Sequence, residues 1–291
     1  GNPFGMKTNL SFTASGDVNG YTVSYMQTSV DQFAGMSSAR LSVDMGDLGL
    51  IAFDQGSGSG LATIDDKTPT AAEEIWDGLD NAAGDANGLV GAAGNSGVWN
   101  YISPAVGGIT SNIALRKGSG TSNADGASSG SGQSAWDIAV TGSGESVNVD
   151  GLAWGLGYGI AEAGEQTNTA GSQNEDEHST VFVNYSMGSV TAGIQMSKID
   201  KGGNAAKDQA VEAWGLAFNV NDDLSISYGE REIEYQGAGA TADVTEDGEG
   251  VAIAYTMGSM KIAGNRNETS NNGGTGGSKD EMTEIALSFA F

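Results

Sequence analysis

The sequence predicts an all-β protein, a transmembrane antiparallel up-and-down β-barrel with sixteen strands expected and about fifteen visible. Three observations predict it. Apolar residues recur at every second position along much of the chain, the period of a strand with two different faces. The connections alternate between very short and long, as when tight turns lie on one side of a membrane and long loops on the other. The apolar fraction is only 38%, below the roughly 45–50% of globular chains, which fits strands whose second face meets water.

The strands are expected at 6–15, 21–30, 39–46, 48–55, 97–104, 109–117, 134–141, 151–164, 179–187, 190–200, 210–220, 224–235, 250–257, 260–270 and 280–291. In the first, Leu10, Phe12 and Ala14 oppose Lys7, Asn9, Ser11 and Thr13. In the third, Leu41, Val43 and Met45 oppose Arg40, Ser42 and Asp44. Further on, Trp154, Leu156, Tyr158 and Ile160 oppose Gly155, Gly157 and Gly159, small faces with room for a packed loop or water. Val181, Val183, Tyr185 and Met187 follow the same rule, as do Trp214, Leu216, Phe218 and Val220, then Val251, Ile253, Tyr255 and Met257. The chain closes on Ile285, Leu287, Phe289 and Phe291 against Glu284, Ala286, Ser288 and Ala290.

Short turns are expected at 16–20, 46–47, 107–108, 188–189, 221–223 and 258–259, with one of intermediate length near 142–150. Long polar connections fall near 31–38, 57–96, 118–133, 165–177, 201–209, 236–249 and 271–279. Single-chain bacterial barrels normally have an even strand count, so the odd number points to a first strand missing at the N-terminus. The opening Gly1-Asn2-Pro3-Phe4-Gly5 has no basic or apolar leader region, as in a mature or trimmed chain. The whole of 1–291 reads as one barrel domain with an inward-folded constriction loop at about 57–96. A barrel this wide cannot be filled by side chains, so the apolar face must meet lipid. Tyr185, Phe218 and Tyr255 each sit shortly before a tight turn and Phe289 near the end, the placing of an interfacial aromatic girdle.

Composition closes other routes. There is no Cys, so no disulfide, thiolate site or cysteine nucleophile, and the single His178 rules out a multi-histidine metal site. With 37 acidic against 12 basic residues the formal charge is −25, which repels nucleic acid. No apolar run approaches the length of a transmembrane helix. Gly126-Ala127-Ser128-Ser129-Gly130 matches a hydrolase pattern without the strand-to-helix context, and Gly155, Gly157 and Gly159 lie within a strand instead of a dinucleotide turn. Asp243 begins like a calcium loop, but its twelfth position is Ala254. No enzyme and no cofactor are expected, although Ca²⁺ held by loop carboxylates such as Glu175, Asp176 and Glu177 stays open.

Four stretches carry a family resemblance. They are Met6 to Ser15 with Gly20 to Tyr25, Ala39 to Gly56 with its Met45-Gly46-Asp47 turn, Trp99 to Gly108 with Tyr101-Ile102-Ser103-Pro104, and the terminal Ile285 to Phe291. In this order and spacing they resemble the Gram-negative general-diffusion porins, closest to the short purple-bacterial type. The resemblance implies a homotrimer of sixteen-stranded barrels in the outer membrane, in contact with lipid and lipopolysaccharide. It also implies a C-terminal Phe291 read by the outer-membrane assembly machinery.

By the same resemblance, the loop at 57–96 narrows the pore, with Asp65, Asp66, Glu73, Glu74, Asp77 and Asp80 facing a basic wall. Lys7 and Arg40 lie on strands that the resemblance places in that wall, while Arg116 and Arg231 point inward nearer the outer end. Thr70 to Trp76 reads as a short helix, with Thr70 as N-cap and Glu73 at capping-box spacing. Basic partners are few, so mild cation preference is expected of a channel for passive diffusion of ions and small hydrophilic solutes. The alternative is a plugged surface barrel with an adhesive or structural role.

Overall fold

The computed structural model describes residues 4–6, 9–30, 35–79, 88–94, 96–117, 134–162, 175–201, 208–237 and 241–290. Its strands are β1 (Ser11–Val18), β2 (Tyr21–Ser29), β3 (Met36–Asp44), β4 (Leu50–Gln55), β5 (Ser96–Ile102), β6 (Ile109–Arg116), β7 (Ala135–Ser143) and β8 (Leu152–Glu162). They continue with β9 (Glu175–Met187), β10 (Val190–Asp200), β11 (Gln209–Asn219), β12 (Leu224–Tyr235), β13 (Val244–Met257), β14 (Met260–Ser270) and β15 (Lys279–Phe289). All fifteen lie in one sheet in sequence order, each antiparallel to the next. This is the up-and-down barrel topology that the alternation predicts. With an odd count β1 and β15 run in the same direction, and no ladder joins them among the described residues.

The tightest turns, after β1, β9, β11 and β13, fall at one end of the sheet, and the longest connections, after β4, β6 and β8, fall at the other. The first turn is tighter than expected: β1 continues to Val18, which pairs with Tyr21. Asn19 and Gly20 alone turn the chain, with φ of 54° and 85°, the left-handed backbone of a two-residue hairpin. Two other boundaries move. β9 begins at Glu175 and β13 at Val244, so Glu175, Asp176, Glu177 and His178 belong to a strand and not to a loop. The physical reason is pairing. Glu177 lies opposite both Ile160 and Asp200, and Tyr158 donates to Glu177 Oε2 at 2.8 Å.

The outward face carries the large apolar residues in the open: Leu216, Phe218, Ile226, Val251, Ile253, Ile262, Ile285 and Leu287 are all exposed. The buried apolar residues lie instead between the long loop and the inner wall. Leu61, Ile64 and Val90 of the loop pack on Ala139, Phe182 and Ile199 of the wall. Ala93 packs on Val98, Ala114 and Ala135. The core of this molecule is the contact between its barrel wall and one inward connection. Among the described residues no helix is long and apolar enough to cross a membrane.

Candidate functional site, a loop laid inside the barrel

The connection between β4 and β5 is fixed at both ends by one carboxylate. Asp137 of β7 is fully buried and accepts the Leu61 amide at 2.9 Å and the Ala93 amide at 2.8 Å. Arg116 points inward at the end of β6, where a Cβ on the loop's Gly94 would lie 3.0 Å from its Nη1. Gly91 donates to His178 Nδ1 at 3.2 Å, so the single histidine is an anchor of the returning limb.

From Leu61 the outgoing limb crosses the wall strand by strand. The Gln195 amide of β10 donates to Ile64 O at 2.8 Å and accepts the Lys67 amide at 2.6 Å. Asn184 of β9 donates to Lys67 O at 2.7 Å. Ser227 of β12 accepts the Ala71 amide at 2.9 Å, and Asn267 of β14 donates to Glu74 O at 3.0 Å and Asp77 O at 2.9 Å.

The helix expected at 70–76 is absent: the chain there is a run of bends ending in a turn. The capping pattern is present, yet the Thr70 hydroxyl donates to Glu73 O at 2.6 Å, and wall side chains meet the Ala71 amide and the Glu74 carbonyl. Backbone groups satisfied by a wall do not need to pair with each other.

The carboxylates of this limb lie within electrostatic reach of one another. Burial, then the charge of neighbouring Asp66, pushes the Asp65 carboxyl up to about 7. Glu74 is raised too, by burial first and by Asp66, Glu73 and Asp77 around it. Asp80, together with Lys7 and Phe291, lies outside the described residues.

The basic candidates separate. Arg231 is only 4% exposed: its Nη2 lies 3.6 Å from Glu246 Oε1, and the Trp76 ring covers its Cζ with the centroid at 4.3 Å. It pins the loop to the wall. Arg40 is 23% exposed, with Nη1 3.9 Å from Asp54 Oδ2 of β4. It borders a hollow of ≈ 310 Å³ with Thr13, Ser15, Ser24, Met26 and Ser42. The wall around Arg40 is therefore mostly hydroxyl-bearing. Among the described residues no group of three or more His, Asp or Glu side chains is placed to hold a metal ion.

On the outer surface, Tyr185, Phe218, Tyr255 and Phe289 are 44%, 37%, 39% and 54% exposed. A second aromatic level, which the sequence reading missed, lies toward the long loops as three edge-to-face pairs: Phe53–Trp99, Trp136–Tyr158 and Trp214–Tyr228. Two of the pairs end on carboxylates: Tyr158 donates to Glu177 at 2.8 Å, and Tyr228 donates to Glu230 at 2.6 Å and to Glu249 at 2.7 Å. Apolar ring below and hydrated tip above is the arrangement of a membrane interface. The signal was available, since each of these rings falls on an outward position of its strand.

No protein-family model matches the chain, and no curated protein sequence does. Solved structures do. An outer-membrane-expressed OmpT of Vibrio cholerae matches at TM-score 0.66 and 15% identity, over 97% of this chain and 89% of that one. An anion-selective porin from Comamonas acidovorans matches at TM-score 0.65 and 13% identity, over 98% and 90%. Salmonella typhi OmpF, in complex with daunomycin, matches at TM-score 0.66 and 13% identity, over 97% and 89%. The fold of this chain is that of the outer-membrane porin barrels.

Proposed function

We propose that the chain is an outer-membrane porin of a Gram-negative bacterium, a water-filled channel for passive diffusion of ions and small hydrophilic solutes, with a preference for cations. One observation carries the reading. The acidic loop is laid against β6 to β15, while the inner face of β1 keeps Ser11, Thr13 and Ser15 exposed to water. A lumen bounded by carboxylates on one side and hydroxyls on the other offers polar solutes partners along its length and favours cations electrostatically. Arg40 faces this space but shares its charge with Asp54.

The exposed apolar belt supports a lipid environment with lipopolysaccharide around it, and the likeness to a trimer form of OmpT supports a homotrimer. Export would engage the outer-membrane assembly machinery. The test is single-channel recording in a planar bilayer under a salt gradient. Conductance steps in multiples of three with a cation-directed reversal potential are expected. Silence from folded protein would replace the channel by a plugged barrel, and an anion-directed potential would remove the cation preference.

A further inference from the structure

Six residues on β9 to β14 stand in one row across the inner wall. Asn184 pairs with Gly193, Gly193 with Gly215, Gly215 with Gly229, Gly229 with Gly250, and Gly250 with Asn267. None of the four glycines has a positive φ, so their backbone would accept any residue. Space is what forbids one. A Cβ on Gly193 would run into Asn184 Oδ1 and meet Pro69 Cδ at 2.6 Å, and one on Gly215 would meet the Pro69 carbonyl oxygen at 2.6 Å. A Cβ on Gly229 would lie 2.9 Å from the Trp214 carbonyl oxygen and 3.2 Å from Ile75 Cγ2, and one on Gly250 would run into Asn267 Oδ1 and lie 2.9 Å from Ile75 Cβ. At the two ends of the row, the amides of Asn184 and Asn267 hold the carbonyls of Lys67, Glu74 and Asp77.

We infer that this row is the seat that sets the bore of the pore. The four glycines let Pro69 and Ile75 of the loop lie directly on the wall, and the two asparagines hold the loop down. The residues that decide the width of the passage are thus uncharged, on the wall, and distant in sequence from the loop. The inference rests on the channel reading above. It adds which residues position the constriction.

At Gly215, where the nearest atoms all belong to Pro69, one methyl must lift the loop toward the lumen by about 1 Å to regain contact at roughly 3.5–4.0 Å, and at Gly250 it must displace Ile75 and the Asn267 amide. Gly248 supplies the control: it is inward on the same strand as Gly250, one step along, and a Cβ there meets nothing nearer than 3.6 Å. Gly215→Ala and Gly250→Ala are expected to lower unitary conductance relative to wild type, while Gly248→Ala leaves it unchanged. Asn184→Ala with Asn267→Ala is expected to raise the frequency of current closures. Wild-type conductance in both seat variants, or an equal fall in Gly248→Ala, overturns the inference.

A second measurement does not depend on conduction. The chain has no Cys, so Ile75→Cys with Gly229→Cys creates its only thiols. Oxidation of the folded protein should join them and block thiol labelling, and free thiols after oxidation would overturn the seat. Silence from wild type with the disulfide formed would defeat the channel reading, and the pore role with it, while leaving the loop on its seat.

Discussion

At the scale of the residue, two buried or half-buried charges make distinct predictions. Arg231 and Glu246 are each 4% exposed, and Glu246 also accepts from Tyr235, Thr269 and the Gly273 amide. Arg231→Met leaves that carboxylate buried without its cation and removes the platform under Trp76. A cost of about 3–5 kcal/mol is expected in denaturant unfolding of the folded barrel, and much less when Glu246→Met is added. An equal loss in single and double variants would show that the pair does not act as a unit. Asp65 makes the second prediction. Its carboxyl titrates at about 7, raised mainly by burial and then by Asp66. As pH falls from 8 to 6 it takes up a proton, the lumen loses a negative charge, and cation preference should weaken. Reversal potentials at the two pH values read this directly, and Asp65→Asn should flatten the change. A wild-type potential that does not move would exclude Asp65 from the conduction path.

At the scale of the element, residues along each strand alternate between an outward and an inward side, with register shifts at Thr28/Ser29 and Asp54/Gln55. On β13, Val251, Ile253 and Tyr255 are exposed outward, and Ala252 and Ala254 are buried inward. Ile253→Arg places a charge in the apolar belt, and a cost of roughly 2–4 kcal/mol is expected near the bilayer midplane. Ser15→Arg on the inner face of β1 should cost little, because it meets water. Unfolding titrations from lipid vesicles compare the two, and similar costs would mean that the faces are assigned wrongly. This alternation was legible in the sequence because it is local: Trp214, Leu216 and Phe218 announce their face without reference to any other strand. The helix expected at 70–76 failed for the opposite reason. Its capping signal is local too, but Ser227 and Asn267, over 150 residues away, offer the backbone other partners.

At the scale of the whole molecule, fifteen strands and the alternation of turns and loops could be read from the sequence, and the path of the inward loop could not. That path depends on register between strands joined through long loops. Gly215 and Gly229 look like ordinary small inward positions until the ladders align them. The inward glycines of β8 were the partial clue: a Cβ on Gly157 would run into Leu61, and one on Gly159 would meet Ala92 at 2.8 Å. Arg231 misled for a related reason. Alternation shows that it points inward, but only the three-dimensional path shows Trp76 lying over it. The charge of −25 was visible from the start, and its division between loop carboxylates and an outward collar including Glu230 and Glu249 appears only when the strands are paired.

The glycine row separates two properties that a solute filter is usually thought to trade against each other. Under the proposed channel function, calibre belongs to the wall, in residues that carry no charge, and ionic discrimination to the carboxylates of the loop. A lineage could therefore exchange the loop's acids for neutral or basic residues and inherit the same molecular-weight cut-off, or retune the cut-off by single methyl groups while keeping its ionic bias.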